Sequence, residues 1–256
     1  MALLEIQNLQ KTYHTRFGGR AVQALSNVTF SVNEGEYVAV MGESGSGKTT
    51  LLNLLATLDR PTSGRILLEG RDLCRLKENE SAAFRREKLG FVFQDFNLLD
   101  TFSVRDNILL PLVLGNVPVE EMEARLLPLC RRLEIADLLD KFPFEISGGQ
   151  KQRTAAARAL ITAPRLLLAD EPTGALDSRA SDNLLELFRE ENRRGQTIVM
   201  VTHSVKAACH AGRVLFLRDG EILHQMYRGD HTEGEMFRLI SDTLTLLTTG
   251  GEPHEA

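Results

Sequence analysis

Apolar and polar positions alternate over residues 3–9 and 24–32, then run apolar without a break through Tyr37–Met41. Alternation at period two buries one face of a strand, and a short unbroken apolar run suits a strand covered on both faces. These segments, separated by turn residues, predict a small antiparallel layer leading into a buried strand. A helix is expected over residues 48–58, stopping before Pro61. Further strands are expected at 65–69, 89–94, 165–169, 197–201, 214–217 and 221–226. Two of them, at Leu166-Leu167-Leu168-Ala169 and Ile198-Val199-Met200-Val201, are continuously apolar, as parallel strands are. Between Ser103 and Leu160 the pattern turns helical, punctuated by Pro111, Pro118, Pro128 and Pro143, which reads as a helical lobe inserted into an α/β core. Thr232-x-x-Glu235 is a capping box ahead of Met236, Ile240, Leu244 and Leu247, so a closing amphipathic helix is expected, frayed from Thr248 onward.

Composition narrows the classes. The 256 residues suffice for one α/β domain carrying a smaller lobe. A net charge of −5 lacks the basic footprint of a nucleic-acid binder, so no nucleic-acid partner is expected. Cys74, Cys130 and Cys209 are isolated, which fits reduced thiols in the cytoplasm rather than a disulfide framework or zinc site. The amino terminus has no basic region or apolar signal core. The most apolar stretch, 108–117, is short and broken by Pro111 and Gly115, so no membrane span is expected.

The chemistry begins at Gly42-Glu43-Ser44-Gly45-Ser46-Gly47-Lys48-Thr49-Thr50, directly after the buried strand. The spacing G-x-x-x-x-G-K-[ST] is that of a phosphate-binding loop: glycines let backbone N–H groups close around phosphates, and the following helix adds its positive end. A nucleoside triphosphate is the expected ligand, with Lys48 on its β- and γ-phosphates and the Thr49 hydroxyl on Mg²⁺. A second strand, 165–169, delivers Asp170 and Glu171 at its carboxyl end. Asp170 is expected to hold Mg²⁺, and Glu171 to deprotonate the attacking water.

Upstream of that strand stands Ile146-Ser147-Gly148-Gly149-Gln150-Lys151-Gln152-Arg153. Ser147 is a natural N-cap, and Gly148 and Gly149 expose N–H groups at a helix start, a second anion site. The segment resembles the signature motif of ATP-binding cassette (ABC) proteins. With it fall into order Gln94, Ala175-Leu176-Asp177 and His203, six motifs across nearly the whole chain.

The resemblance implies one cassette spanning 1–256: an ABC-type P-loop α/β core at 1–94 and 163–229, a helical lobe with the signature at 95–162, and a closing helix and tail at 230–256. It implies that Ser147, Gly148, Gly149, Gln150 and Asp177 meet the nucleotide held by the loop of a second copy, in an ATP-sandwiched homodimer. It also implies that His203 contacts the γ-phosphate, that Gln94 joins Thr49 and Asp170 at Mg²⁺, and that Tyr13 stacks on adenine, with His14 and Phe17 as rivals for that role. Ile146 stands where leucine is commoner and Gly174 where serine is frequent, departures that remove no phosphate or metal contact.

The stretches Phe93-Gln94-Asp95-Phe96-Asn97-Leu98-Leu99 and Asp170-Glu171-Pro172-Thr173-Gly174-Ala175-Leu176-Asp177 resemble the branch serving macrolide export, lipoprotein release and cell division. Leu58-Asp59-Arg60-Pro61-Thr62-Ser63-Gly64 and Tyr227-Arg228-Gly229-Asp230 are similar to bacitracin-type antimicrobial-peptide transporters. An ATPase on the cytoplasmic face of a bacterial membrane is implied, bound to a separate permease and through it to a sensor kinase. Residues near Phe96 and Asn97 are expected to touch the permease.

Overall fold

The computed structural model describes residues 2–14 and 21–249. In chain order the strands and helices are β1 (Ala2–Tyr13), β2 (Val22–Asn33), β3 (Tyr37–Met41), α1 (Lys48–Leu55), β4 (Ser63–Leu68), β5 (Arg71–Asp72), α2 (Glu78–Lys88), β6 (Leu89–Val92), α3 (Val104–Leu114), α4 (Val119–Arg132), α5 (Gly148–Leu160), β7 (Leu166–Asp170), α6 (Ser178–Arg193), β8 (Thr197–Thr202), α7 (Val205–Ala208), β9 (Arg213–Arg218), β10 (Glu221–Tyr227) and α8 (Glu233–Thr249). They fall into two compact units, residues 1–76 with 199–256, and residues 77–198.

In the first unit the expected antiparallel layer is present, in the order β2-β1-β4-β5. It buries Leu4 and Ile6 of β1, then Leu9 after a register shift, together with Val28, Phe30 and Val32 of β2 and Ile66 of β4. A second sheet has β10 antiparallel to β9, β9 parallel to β3, and β3 beside β8. All five residues of β3 are buried, as its unbroken apolar run predicts. Arg213, at the start of β9, is buried and paired with Glu36 at 2.7 Å, and also donates to the Ser31 carbonyl, fixing the β2–β3 turn against β9. The Thr232–Glu235 capping box starts α8 as expected: the Thr232 N–H donates to Glu235 Oε2 at 2.7 Å, and the Glu235 N–H to Thr232 Oγ1 at 3.3 Å. The backbone of α8 runs to Thr249, so it extends past Thr248, where fraying was expected; the rest of that tail lies outside the described residues.

The second unit pairs β6 with β7 in parallel and surrounds them with helices. Pro118 and Pro143 punctuate it as expected, Pro118 as the N-cap of α4 and Pro143 opening a 3₁₀ turn. Pro111 and Pro128 do not end segments: they lie inside α3 and α4. The tertiary setting holds α3 through its proline. Asn107, fully buried, donates to the carbonyls of Leu99, Phe102 and Ser103 and accepts the Leu99 N–H, while Val104, Ile108 and Leu112 are buried along the same helix. Among the described residues no helix is long and apolar enough to cross a membrane.

Candidate functional site

In the first unit, β3 delivers the chain into the loop at 42–48, and backbone geometry there excludes other residues. A Cβ on Gly42 would stand 2.1 Å from the Leu217 carbonyl oxygen. Gly47, the N-cap of α1, has φ 105°, and a Cβ there would meet the Ala24 carbonyl oxygen at 2.5 Å. The loop is therefore wedged between β2 and β9 by its own glycines. Lys48, 8% exposed, donates to the carbonyls of Gly42 (2.8 Å) and Glu43 (2.9 Å), so its ammonium is held against the first two residues of the loop. Ser46 Oγ is buried with no hydrogen-bond partner among the described residues. A concave run of glycines with a buried ammonium and an orphaned hydroxyl suits a polyanion. Glu43, Ser44, Gly45 and Thr49 are exposed along this loop and Thr50 half-buried.

Tyr13 ends β1 with 41% of its surface exposed. Its hydroxyl donates to Asp59 Oδ2 at 2.8 Å, while Lys11 Nζ reaches Asp59 Oδ1 at 2.7 Å and lies 4.7 Å from the centre of the Tyr13 ring. Lys11 and Tyr13 are two apart on one strand, hence on one face. Burial and then the bond to Asp59 push the Tyr13 hydroxyl pKa up. Burial opposes ionisation of Asp59, but the bonds from Lys11, Arg60 N–H and Tyr13 hold its carboxyl below the usual range. Sequence reading missed Asp59; the signal was a carboxylate just after α1 with a Lys-x-Tyr pair on β1. His14 is exposed, and Phe17 lies outside the described residues. His203 is exposed at the carboxyl end of β8, beside Ser204, whose hydroxyl caps α7 by accepting the Ala207 N–H.

The second unit holds the other candidates. β7 ends at Asp170, and Glu171 follows with φ 43°, a left-handed conformation disfavoured for a residue with a Cβ. The Gly174 N–H donates to the Glu171 carbonyl at 2.9 Å, closing a turn. Gln94 lies against that turn: a Cβ on Gly174 would stand 3.0 Å from Gln94 Nε2, so a serine there would press on the glutamine. Beyond Gln94, Phe96 and Asn97 both have positive φ, and Arg158 of α5 donates to their two carbonyls at 2.9 and 2.5 Å.

Ser147 is the N-cap of α5, as expected. Its Oγ accepts the Gln150 N–H at 3.3 Å, and Gln150 Oε1 accepts the Ser147 N–H at 2.9 Å, a reciprocal box. Gly149 faces α6 closely, since a Cβ would stand 2.9 Å from the Ala180 Cβ. Asp177 caps α6 by accepting the Ala180 N–H at 2.8 Å.

The model of the family described as ABC transporter matches residues 25–174. Over all 256 residues the chain is 49% identical to an uncharacterized ABC transporter ATP-binding protein, YvcR, of Bacillus subtilis (strain 168), covering 98% of it. It is 46% identical to the bacitracin export ATP-binding protein BceA of Halalkalibacterium halodurans, over 96% of this chain and 97% of the relative. Among solved structures it resembles the dimeric post-hydrolysis state of the ATP-binding cassette MJ0796 bound to ADP and Pi, with a TM-score of 0.79, 38% identity, and 88% and 98% of the two chains covered.

Proposed function

We propose, proceeding from the fact that this chain belongs to the ABC transporter family, that it is the ATP-binding and ATP-hydrolysing subunit of a bacterial transporter conferring resistance to bacitracin-like antimicrobial peptides. The observation that carries the substrate class is the likeness to a bacitracin export ATP-binding protein over nearly the full length of both chains. The cassette works as one domain and binds a second copy of itself, a reading supported by its likeness to a dimeric cassette holding ADP and Pi. It is held at the cytoplasmic face of the membrane by a separate permease, through which its state reaches a sensor kinase.

Residue roles follow from the chemistry each position offers. Backbone N–H groups of residues 42–50 and the Lys48 ammonium bind phosphate oxygens. Thr49, Gln94 and Asp170 offer the hydroxyl, amide and carboxylate oxygens that Mg²⁺ takes, and the cation when bound offsets charge on the γ-phosphate. Glu171 accepts the proton of the attacking water, and His203 steadies the γ-phosphate. Tyr13 stacks on adenine. Ser147, Gly148, Gly149, Gln150 and Asp177 serve the nucleotide of the partner copy.

The test joins growth to hydrolysis. Deleting the gene should sensitise cells to bacitracin, and wild type but not Glu171→Gln should restore resistance. The purified Glu171→Gln protein should retain ATP binding and lose about 10²–10⁴-fold of hydrolysis, whereas Lys48→Ala should lose nucleotide affinity. Unchanged susceptibility on deletion would overturn the peptide class. Hydrolysis by Glu171→Gln near the parent rate would overturn the base.

A further inference from the structure

We propose that Gln152 is a positioning residue for hydrolysis, its one amide group tying the backbone just before Gln94 to the backbone just after Glu171. The inference rests on the reading of Glu171 as general base and Gln94 as a Mg²⁺ ligand.

Gln152 lies on α5 with no exposed surface. Its Nε2 donates to the Phe93 carbonyl at 3.0 Å and to the Pro172 carbonyl at 2.8 Å. Two carbonyl acceptors fix the amide's orientation, because an oxygen in that place would face two other oxygens. Its Oε1 is then buried without a hydrogen-bond partner among the described residues. A methionine would fill the same volume but leave the Phe93 and Pro172 carbonyls without this donor, so what glutamine adds to packing is its hold on those two carbonyls. These adjoin the two groups assigned to chemistry.

The same turn is already closed from its other side, by the Gly174 N–H on the Glu171 carbonyl and by Gln94 lying against Gly174. Gln152 completes the frame from within the helix. It stands five residues after Ser147, the cap of that helix, so a shift of α5 on engaging a partner's phosphate is delivered to both neighbours together. Gln152 itself touches neither nucleotide nor water in this scheme and exchanges no proton.

The variants are made in the full-length chain. Gln152→Met keeps length and volume and removes both donors. It should leave the ATP dissociation constant within about twofold, while kcat falls on the order of tenfold from the loss of two bonds. In a Glu171→Gln background the same substitution should cause little further loss, since there is no base left to position. Gln152→Glu sets a carboxyl group against two carbonyls and, where it is ionised, should be slower still. Its kcat relative to wild type should rise as pH falls and protonation restores one donor, a profile that a purely structural role does not produce. If Gln152→Met hydrolyses like the parent while Glu171→Gln is inactive, the positioning role is wrong and the base assignment stands. A fall in nucleotide affinity in step with kcat would equally overturn it, in favour of a structural role. If Glu171→Gln is itself unimpaired, the reading beneath the proposal fails.

Discussion

Asp59 accepts from both the Tyr13 hydroxyl and the Lys11 ammonium, so the tyrosine ring is held at its rim and has a cation over one face. That arrangement separates what the ring does from what keeps it in place. Tyr13→Ala should weaken ATP binding by about fivefold to a hundredfold, as loss of a stacking surface worth ~1–3 kcal/mol implies. Tyr13→Phe and Asp59→Ala should each weaken it only about two- to fivefold, and the double variant no more than the worse single one, because both remove the Tyr13–Asp59 bond. Equilibrium titration with a fluorescent adenine nucleotide reads all four proteins, and additive losses would show that Asp59 acts elsewhere. The place of Tyr13 at a strand end, ahead of residues 15–23, was legible in the sequence. Asp59 was not, because its role depends on the 46-residue separation that folding closes. Gln152 was quoted in the signature, yet its task depends on carbonyls 59 and 20 residues away.

Elements were read most faithfully where local chemistry sets their ends. The boxes at Ser147–Gln150 and Thr232–Glu235 start α5 and α8 where the side-chain spacing says they should. Strand β3 was legible because its burial on both faces leaves an unbroken apolar run. The proline of α3 misled because a pattern marks the missing N–H at about 3 kcal/mol but not the buried Asn107 bonds and packing that offset it. Helix α2 had no apolar stripe to announce it, burying only Ser81 and Phe84. A prediction belongs to α5 as an element. Ser147→Ala should lower stability by about 1 kcal/mol through loss of the cap, visible in denaturant unfolding. Ser147→Asp keeps a cap and should restore that stability, yet should slow hydrolysis by placing a carboxylate where a partner's phosphate is to bind. Hydrolysis that follows stability in both variants would reduce Ser147 to a capping role.

For the whole molecule, the sequence pattern sets a helical middle at 95–162 between sheet-rich segments, whereas the second compact unit runs over 77–198 and includes β6 and β7. The first carries residues 42–50, Tyr13 and His203, and the second carries Gln94, Ser147–Gln150, Asp170 and Glu171. One buried thiol in each unit bears on the stability of the chain at alkaline pH. Burial pushes Cys130 and Cys209 each up to about 11. An unfolded chain ionises its thiols near about 8.5, so below that pH both states hold the protons and stability is unaffected. Above it the unfolded state alone gains by releasing them, and stability falls as pH rises toward 11. The melting temperature of wild type should therefore drop more steeply from pH 9 to 11 than that of a Cys130→Ala/Cys209→Ala variant, and parallel slopes would refute the assignment.

The backbone of Glu171, turned to φ 43°, sets two kinds of selection against each other. Glycine adopts that conformation without strain, whereas glutamate does so at roughly 1–3 kcal/mol. A population of variants sorted only for survival of heating would drift toward glycine at this position and lose the carboxylate. With Glu171 as the base proposed above, the same population sorted for ATP hydrolysis would keep the strained residue. Thermal robustness and turnover thus pull on one torsion angle in opposite directions.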